Sequence, residues 1–258
     1  MPNKERVAIV TGASRGIGRA TAIRLARDFS AVVLVARDAV ALASAADAVN
    51  AAGAAGLTLA RDLRDADVAR EAIETTRDRF GRIDALVNIA GAVPQADLFA
   101  MSDDEWADGL SLKFHAARRL TLAAWETLAR SSGSVVFMSG TSALTPKASL
   151  AAVGAINAAI SALAKAFAER GVEDGVQVNA VLPGPVMTDR RRAMLALYGQ
   201  AQGLSIDTAM NAFAAETKIM RYGTPEDIAE LIAFAVSPAA RWMTGVTLRM
   251  DGGEIKSV

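Results

Sequence analysis

Thr11-Gly12-Ala13-Ser14-Arg15-Gly16-Ile17-Gly18 follows directly on the apolar run Val7-Ala8-Ile9-Val10. A short β-branched run closed by glycines reads as a buried strand entering a turn, and the residues after Gly16 continue as a helix. The three glycines have separate tasks. Gly12 allows the tight turn, Gly16 lets the backbone approach a pyrophosphate, and Gly18 lets the helix pack close to the strand. The helix start then presents N–H groups without intrahelical partners to phosphate oxygens. The stretch therefore predicts a strand, a phosphate-holding turn and a helix, and with them a site for a dinucleotide.

Outward from this turn, β-branched runs alternate with longer stretches of helical period. Strands are expected at Val7–Val10, Ala31–Ala36, Leu57–Ala60, Ala85–Val87, Ser134–Ser139, Val176–Ala180 and Val246–Arg249. Helices are expected near Gly16–Phe29, Asp38–Ala52, Ala66–Phe80, Asp103–Arg130, Leu150–Arg170 and Pro225–Ala235. This alternation implies an α/β chain: a single-domain Rossmann fold over residues 1–258, with a doubly wound parallel sheet of about seven strands and helices on both faces. Ser102 before Asp103-Asp104-Glu105, and Thr224 before Pro225-Glu226-Asp227, have the composition of helix starts. The long strand-free segment Thr188–Tyr222 reads as helix, turn at Gly199 to Gly203, and helix. It would lie as a substrate lid over the carboxyl ends of the strands.

Composition narrows the function. The 258 residues are 52% hydrophobic, and 28 basic side chains balance 28 acidic ones, so no overall field favours nucleic acid or an anionic membrane. No cysteine and a single histidine, His115, leave no Cys- or His-rich metal site, and no metal is expected. The first residues lack the pattern of a secretory signal, and the longest uncharged run, Ala148 to Ala164, falls short of a membrane span. The expected setting is the cytoplasm, with a small-molecule substrate and further copies of the same chain as partners.

With its three residues between the first two glycines, the turn resembles that of the short-chain dehydrogenase/reductase family, and the resemblance extends over nearly the whole chain. It implies that Gly12, Ser14, Arg15, Gly16, Ile17 and Gly18 hold the pyrophosphate. Asp62 and Leu63, closing the third strand, resemble the adenine contact. Asn88-Ile89-Ala90-Gly91 is similar to an Asn-Asn-Ala-Gly element, which assigns Asn88, Ala90 and Gly91 to the cofactor. Val181-Leu182-Pro183-Gly184-Pro185-Val186-Met187-Thr188 resembles the segment that holds the nicotinamide amide, through Pro183, Gly184, the backbone of Val186 and the hydroxyl of Thr188. Thr244-Gly245 and Asp251-Gly252-Gly253 match a C-terminal signature. A dimer or tetramer is implied through the helix after the fifth strand, where Ala151, Ala155, Ala159, Ser161 and Ala162 form a face of small side chains.

Charge at the end of the second strand chooses between the nicotinamide dinucleotides. A carboxylate there would bind ribose hydroxyls and repel a 2′-phosphate. Ala36 stands in that place, Arg37 follows, and Arg15 lies in the glycine turn. Two guanidinium groups favour NADP over NAD.

The family's chemistry uses Asn, Ser and Tyr-x-x-x-Lys. Counted from flanks that match without gaps, these fall on Lys113, Gly140, Val153 and Asn157, and no tyrosine precedes Tyr198. Reduction of a carbonyl leaves an alkoxide that needs a proton. Lys113 is the candidate acid, because burial lowers a lysine into a useful range. His115 lies about 200° further around a helix and should face away. Ser139 and Ser142 offer hydroxyls to a carbonyl oxygen, and Asn157 can bond the nicotinamide ribose. Tyr198 is expected to pack within the lid and Tyr222 to lie at the surface. Arg190-Arg191-Arg192 opens the lid as a solvated helix face or as a receptor for a phosphate, carboxylate or acyl carrier.

These residues leave three readings. The favoured one is an NADP-dependent oxidoreductase on a carbonyl or alcohol, with a non-standard proton donor. The others are a dinucleotide-binding protein without redox turnover, such as a sensor, partner subunit or non-redox catalyst, and a scaffold that binds no cofactor.

Overall fold

The computed structural model describes residues 5–257. Strands β1 (Val7–Thr11), β2 (Ala31–Ala36), β3 (Ala55–Ala60), β4 (Ala85–Asn88), β5 (Ser134–Met138), β6 (Gln177–Pro183) and β7 (Thr247–Met250) form one sheet in the order β3-β2-β1-β4-β5-β6-β7. Every pairing is parallel. Alternation along β1 explains the two helical layers. Val7 and Ile9 pack with α3 (Ala66–Phe80), α5 (Ala116–Ser131) and α6 (Ala151–Asp174), whereas Ala8 and Val10 pack with α1 (Gly16–Leu25), α2 (Ala39–Ala51) and α9 (Pro225–Ala235). A strand buried on both faces has no use for polar side chains, which is why the central runs are continuously apolar.

The strand order reverses between β1 and β4, and the crevice at their carboxyl ends is where a doubly wound sheet takes its ligand. Lining that crevice are the Thr11–Gly18 turn, the Asn88–Val93 loop, the turn Thr141–Ala143 after β5, and the segment after β6. The lid over it consists of α7 (Asp189–Gln202) and α8 (Ile206–Thr217). The turn between them falls at Gly203 to Ser205 rather than at Gly199, because Gly203 takes the left-handed conformation that ends α7.

Both anticipated helix starts carry full capping boxes, Ser102 with Glu105 and Thr224 with Asp227. Other boundaries move. α1 ends at Leu25, four residues before Phe29, and its chain tightens into bonds from Arg27 N to Arg24 O and from Asp28 N to Leu25 O. α6 continues to Asp174, where left-handed Gly175 stops it. With its leading turn this helix spans Ala148–Asp174, long and apolar enough by composition to cross a membrane. It instead lies along the sheet with Ile156, Ile160, Ala164 and Ala168 in the core. β6 runs past Ala180 because β7 pairs with it from Ala180 to Pro183.

The helix expected over Asp103–Arg130 is three pieces: α4 (Asp103–Gly109), a π-helical turn (Leu110–His115) and α5. A π turn inserts an extra residue into the helical ladder, and such insertions concentrate at functional sites. This one carries Lys113.

Candidate active site

Gly12 and Gly16 have φ of 68° and 53°, the left-handed region that glycine enters without strain. A Cβ on Gly18 would stand 2.1 Å from the carbonyl oxygen of Gly12, so α1 meets the turn at a distance only glycine permits. No side chain caps α1, and no acidic residue stands in its first turn. The helix start thus keeps its amide donors and its positive dipole end for an anion. Thr11, at the end of β1, braces the neighbouring loop: its Oγ1 accepts from the amides of Ile89 and Ala90 at 2.9 and 3.0 Å. A cleft of about 480 Å³ extends from Ser14, Arg15 and Gly16 to Met187 and Thr188 and along the groove between α1 and α9.

Arg37 is 61% exposed in its side chain and lies 3.6 Å from Asp62, whereas Asp38 is occupied in capping α2. Asp62 also accepts from the amide of Arg64. Leu63 points into the core, so only its backbone is available to a ligand. Asn88 is buried, with Nδ2 donating to Thr121 and Oδ1 without a partner among the described residues. At the other end of the crevice, Val186 bridges to Gly223 through its neighbours, Gly223 donating to Pro185 O and Met187 donating to Gly223 O. That pattern leaves the Val186 amide without a backbone partner among the described residues, a donor open to a ligand. Thr188 accepts from the Arg191 amide and starts α7. The uncapped helix, the glycine cradle and the free Val186 amide together fit a nicotinamide dinucleotide.

Lys113 lies beneath the Asn88–Gly91 loop, so close that a Cβ on Gly91 would be 3.0 Å from its Cδ. Its Nζ donates to the Ser139 carbonyl at 3.3 Å and to Asn157 Oδ1. Asn157, 3% exposed, in turn donates from Nδ2 to Ser142 Oγ at 2.8 Å. An ammonium has three N–H donors, and two are held here by neutral acceptors. Burial, reinforced by the charge of Arg190, lowers the Lys113 ammonium from 10.5 to about 8. Ser139 is turned away from the crevice: its hydroxyl donates to the Asn157 carbonyl at 2.8 Å and accepts from Ser161. His115 faces Arg118 and Arg119, and burial followed by those two charges lowers its pKa.

Gly140 is coupled to this network. A Cβ there would stand 2.8 Å from Asn157 Nδ2, so a side chain at 140 and Asn157 in this pose exclude each other. Val153 packs with Val93, Ala152, Ile156 and Trp106 in a small apolar cluster. The two tyrosines exchange their expected settings. Tyr222 is inside the lid, its hydroxyl donating to Met210 O at 3.0 Å and its ring stacked on Phe213, whereas Tyr198 is 54% exposed.

Residues 12–254 match the family described as enoyl-(acyl carrier protein) reductase. The chain is 32% identical over 251 residues to the short-chain reductase protein NovJ of Streptomyces niveus, covering 97% of this chain and 94% of that protein. It is also 32% identical over 253 residues to a 3-oxoacyl-[acyl-carrier-protein] reductase of Synechocystis sp., covering 97% of each. This chain belongs to the short-chain dehydrogenase/reductase family. Among solved structures, the L-sorbose reductase of Gluconobacter frateurii, complexed with NADPH and L-sorbose, superposes with a TM-score of 0.94 at 27% identity, over 99% of this chain and 98% of that one.

In this short-chain dehydrogenase/reductase Ser14, Arg15, Gly16 and Thr188 line one cleft, Lys113, Asn157 and Ser142 form one hydrogen-bonded network, and the Leu63 and Ser139 side chains turn inward. The sequence reading missed three features. The pairing of Lys113 with Asn157 joins the two positions that resemblance assigns to the family's Asn and Lys, and exchanging those residue types was its visible signal. Glu254, just past the Asp251-Gly252-Gly253 signature, accepts from Thr141 Oγ1 at 2.7 Å and brings a carboxylate to the loop after β5. Arg190 is tied across the crevice, donating from Nη2 to Val93 O at 3.0 Å. Neither of the last two has a local sequence signature.

Asn157 positions the ammonium, and its charge tests this. Asn157→Asp places a carboxylate against Lys113, which favours the charged form. The alkaline limb of any Lys113-dependent rate is expected to move up by about one unit or more. The measurement is the pH profile of kcat in the variant.

Proposed function

We propose that this protein is an NADPH-dependent reductase of a small carbonyl compound in which Lys113 provides the proton. NADPH bound in the crevice supplies a hydride to the carbonyl carbon. The chain's residues do the remainder. The Gly12–Gly18 turn and the start of α1 hold the pyrophosphate, Arg37 and Arg15 meet the 2′-phosphate, and Val186 and Thr188 orient the nicotinamide end. Asn157 and the Ser139 carbonyl fix Nζ of Lys113 so that its third N–H is free for the carbonyl oxygen. As negative charge develops on that oxygen, Lys113 transfers a proton to it, giving the alcohol and a neutral amine that takes a new proton from solvent. Ser142 supports the arrangement through Asn157. A homo-oligomer in the cytoplasm is the setting in which we place it.

The observation that carries this reading is the Lys113 ammonium held by Asn157 and the Ser139 carbonyl beneath the Asn88–Gly91 loop, where burial also lowers it to about 8. A general acid works best when its pKa is near the working pH. Relatives add support: the L-sorbose reductase holds NADPH, as does a solved actinorhodin polyketide ketoreductase, 26% identical with a TM-score of 0.91. The test is thermal unfolding with each dinucleotide, followed by NADPH absorbance with a panel of ketones and aldehydes. NADPH at a hundred times its Kd is expected to stabilise by about 2.7 kcal/mol, and NADH at equal concentration by less. Equal shifts with both would contradict the assignment of Arg37 and Arg15.

A second reading, dinucleotide binding without turnover, is favoured by Val153, whose apolar packing puts no proton donor at that wall. It expects the same NADPH shift with no oxidation of NADPH by any carbonyl.

A further inference from the structure

Three cations stand around the substrate side of the crevice without a carboxylate within ion-pair distance. Lys113, Arg190 and Arg191 take part in none of the ion pairs among the described residues, whereas half of the arginines of this chain do. Lys113 is bonded to an amide and a carbonyl, and Arg190 to the carbonyl of Val93. Arg191 is partly buried, its guanidinium 5.2 Å from the Phe213 ring centre, beside Tyr222. Glu254 is an acidic group close enough to act on Arg191, and it accepts a hydrogen bond from Thr141. The charge of Arg190 is felt at Lys113, and burial disfavours the charged form of Arg191. Positive charge on the partly buried Lys113 and Arg191 is costly in the free protein with Glu254 near only the second, and the exposed Arg190 adds to a field that an anionic ligand relieves.

We propose that the substrate carries a carboxylate, that Arg190 on the first turn of the lid binds it, and that the carbonyl thereby faces Lys113. The proposal rests on the reductase reading above and names its substrate class: oxo acids. Arg190 is suited to the task because Val93 holds one edge of its guanidinium and leaves further N–H donors to make paired bonds to a carboxylate. The contact joins the lid to the Asn88–Val93 loop in the free protein, so the guanidinium is already placed at the crevice. Arg191, shielded by Phe213, adds positive charge behind it. Arg192, exposed like Arg190, makes no side-chain bond across the crevice among the described residues and takes no part.

The test uses 2-oxobutanoate, 3-oxobutanoate and 4-oxopentanoate, each against its methyl ester. Calorimetry measures binding to the protein saturated with NADP⁺, and absorbance measures turnover with NADPH. At least one acid is expected to bind roughly 10- to 100-fold more tightly than its ester, the worth of a charged hydrogen-bond pair. Arg190→Met should reduce that ratio to within about threefold of one, Arg190→Lys should retain part of it, and Arg192→Met should leave it in place. Circular dichroism and NADPH binding verify that the variants are folded. Esters held as tightly as every acid, or an acid preference that survives Arg190→Met, overturn the proposal even if turnover is rapid. An acid preference lost in Arg190→Met but with no turnover upholds the carboxylate site and refutes the reductase reading instead.

Discussion

Replacing Lys113 with methionine is expected to lower kcat for NADPH-dependent carbonyl reduction by about 10²- to 10⁴-fold, the usual worth of a positioned general acid. Methionine keeps an unbranched apolar stem beneath Gly91 and removes the ammonium, so the loop retains its support. NADPH affinity should then change by no more than a few-fold, since the phosphate cradle and the Val186 amide lie elsewhere on the crevice. Lys113→Arg separates charge from acidity. A guanidinium has a pKa too high to release its proton, so that variant should be nearly as slow as the methionine one. Single-turnover absorbance with NADPH measures both. A Lys113→Met enzyme that reduces its substrate at the wild-type rate would show that the proton comes from elsewhere.

Gly18→Ala is expected to abolish useful NADPH binding and to destabilise the fold. The added Cβ would meet the Gly12 carbonyl oxygen at 2.1 Å and its carbon at 2.6 Å, and both are backbone atoms of the turn itself. Neither can rotate aside as a side chain would, so α1 must move outward from β1 and the amide donors move with it. Overpacking of this kind costs about 1–3 kcal/mol. In a chain of 258 residues that lowers Tm by roughly 2–12 °C. The affinity loss is the larger effect, about 10²-fold or more if two phosphate contacts are lost. Calorimetric unfolding and NADPH fluorescence titration measure the two consequences. Gly53, where an added Cβ meets nothing within 4 Å but φ is 105°, serves as a control for affinity alone: Gly53→Ala should cost some stability and leave NADPH affinity unchanged.

Much of this architecture was legible because its determinants are local. A parallel sheet buried on both faces writes its strands as apolar runs, and the Thr11–Gly18 turn uses glycines that only that geometry demands. Ser102 and Thr224 announced their helices through capping boxes that act within four residues. Asp103–Arg130 was less transparent. Its helical period continues through Leu110–His115, and the packing of Leu110 and Phe114 with Val93 and Ile156 around the π turn is not displayed by sequence.

The candidate site divides along the same line. The glycine geometry of the Thr11–Gly18 turn was readable from its motif, whereas the partners of Ser139, Tyr222 and Arg190 were not. Ser139 sits at a strand end where a hydroxyl can face either the crevice or the following helix, and the Asn157 carbonyl decides the matter. Tyr222 is drawn inward by a lid carbonyl twelve residues away. Arg190 reaches a loop that is 97 residues distant in the chain. Lys113 was legible as a substitution, but its partner Asn157 required the fold to bring two helices together.

The pH dependence of kcat for wild-type reduction with NADPH, taken beside that of Lys113→Met on the same substrate, bears most directly on Lys113 as proton donor. The ammonium is active while protonated, so the wild-type rate should be level below about pH 8 and fall roughly tenfold per unit above it. The methionine variant should be slow and flat across that range. A wild-type rate that stays level to pH 10, or a limb near pH 8 that persists without the lysine, would contradict the account.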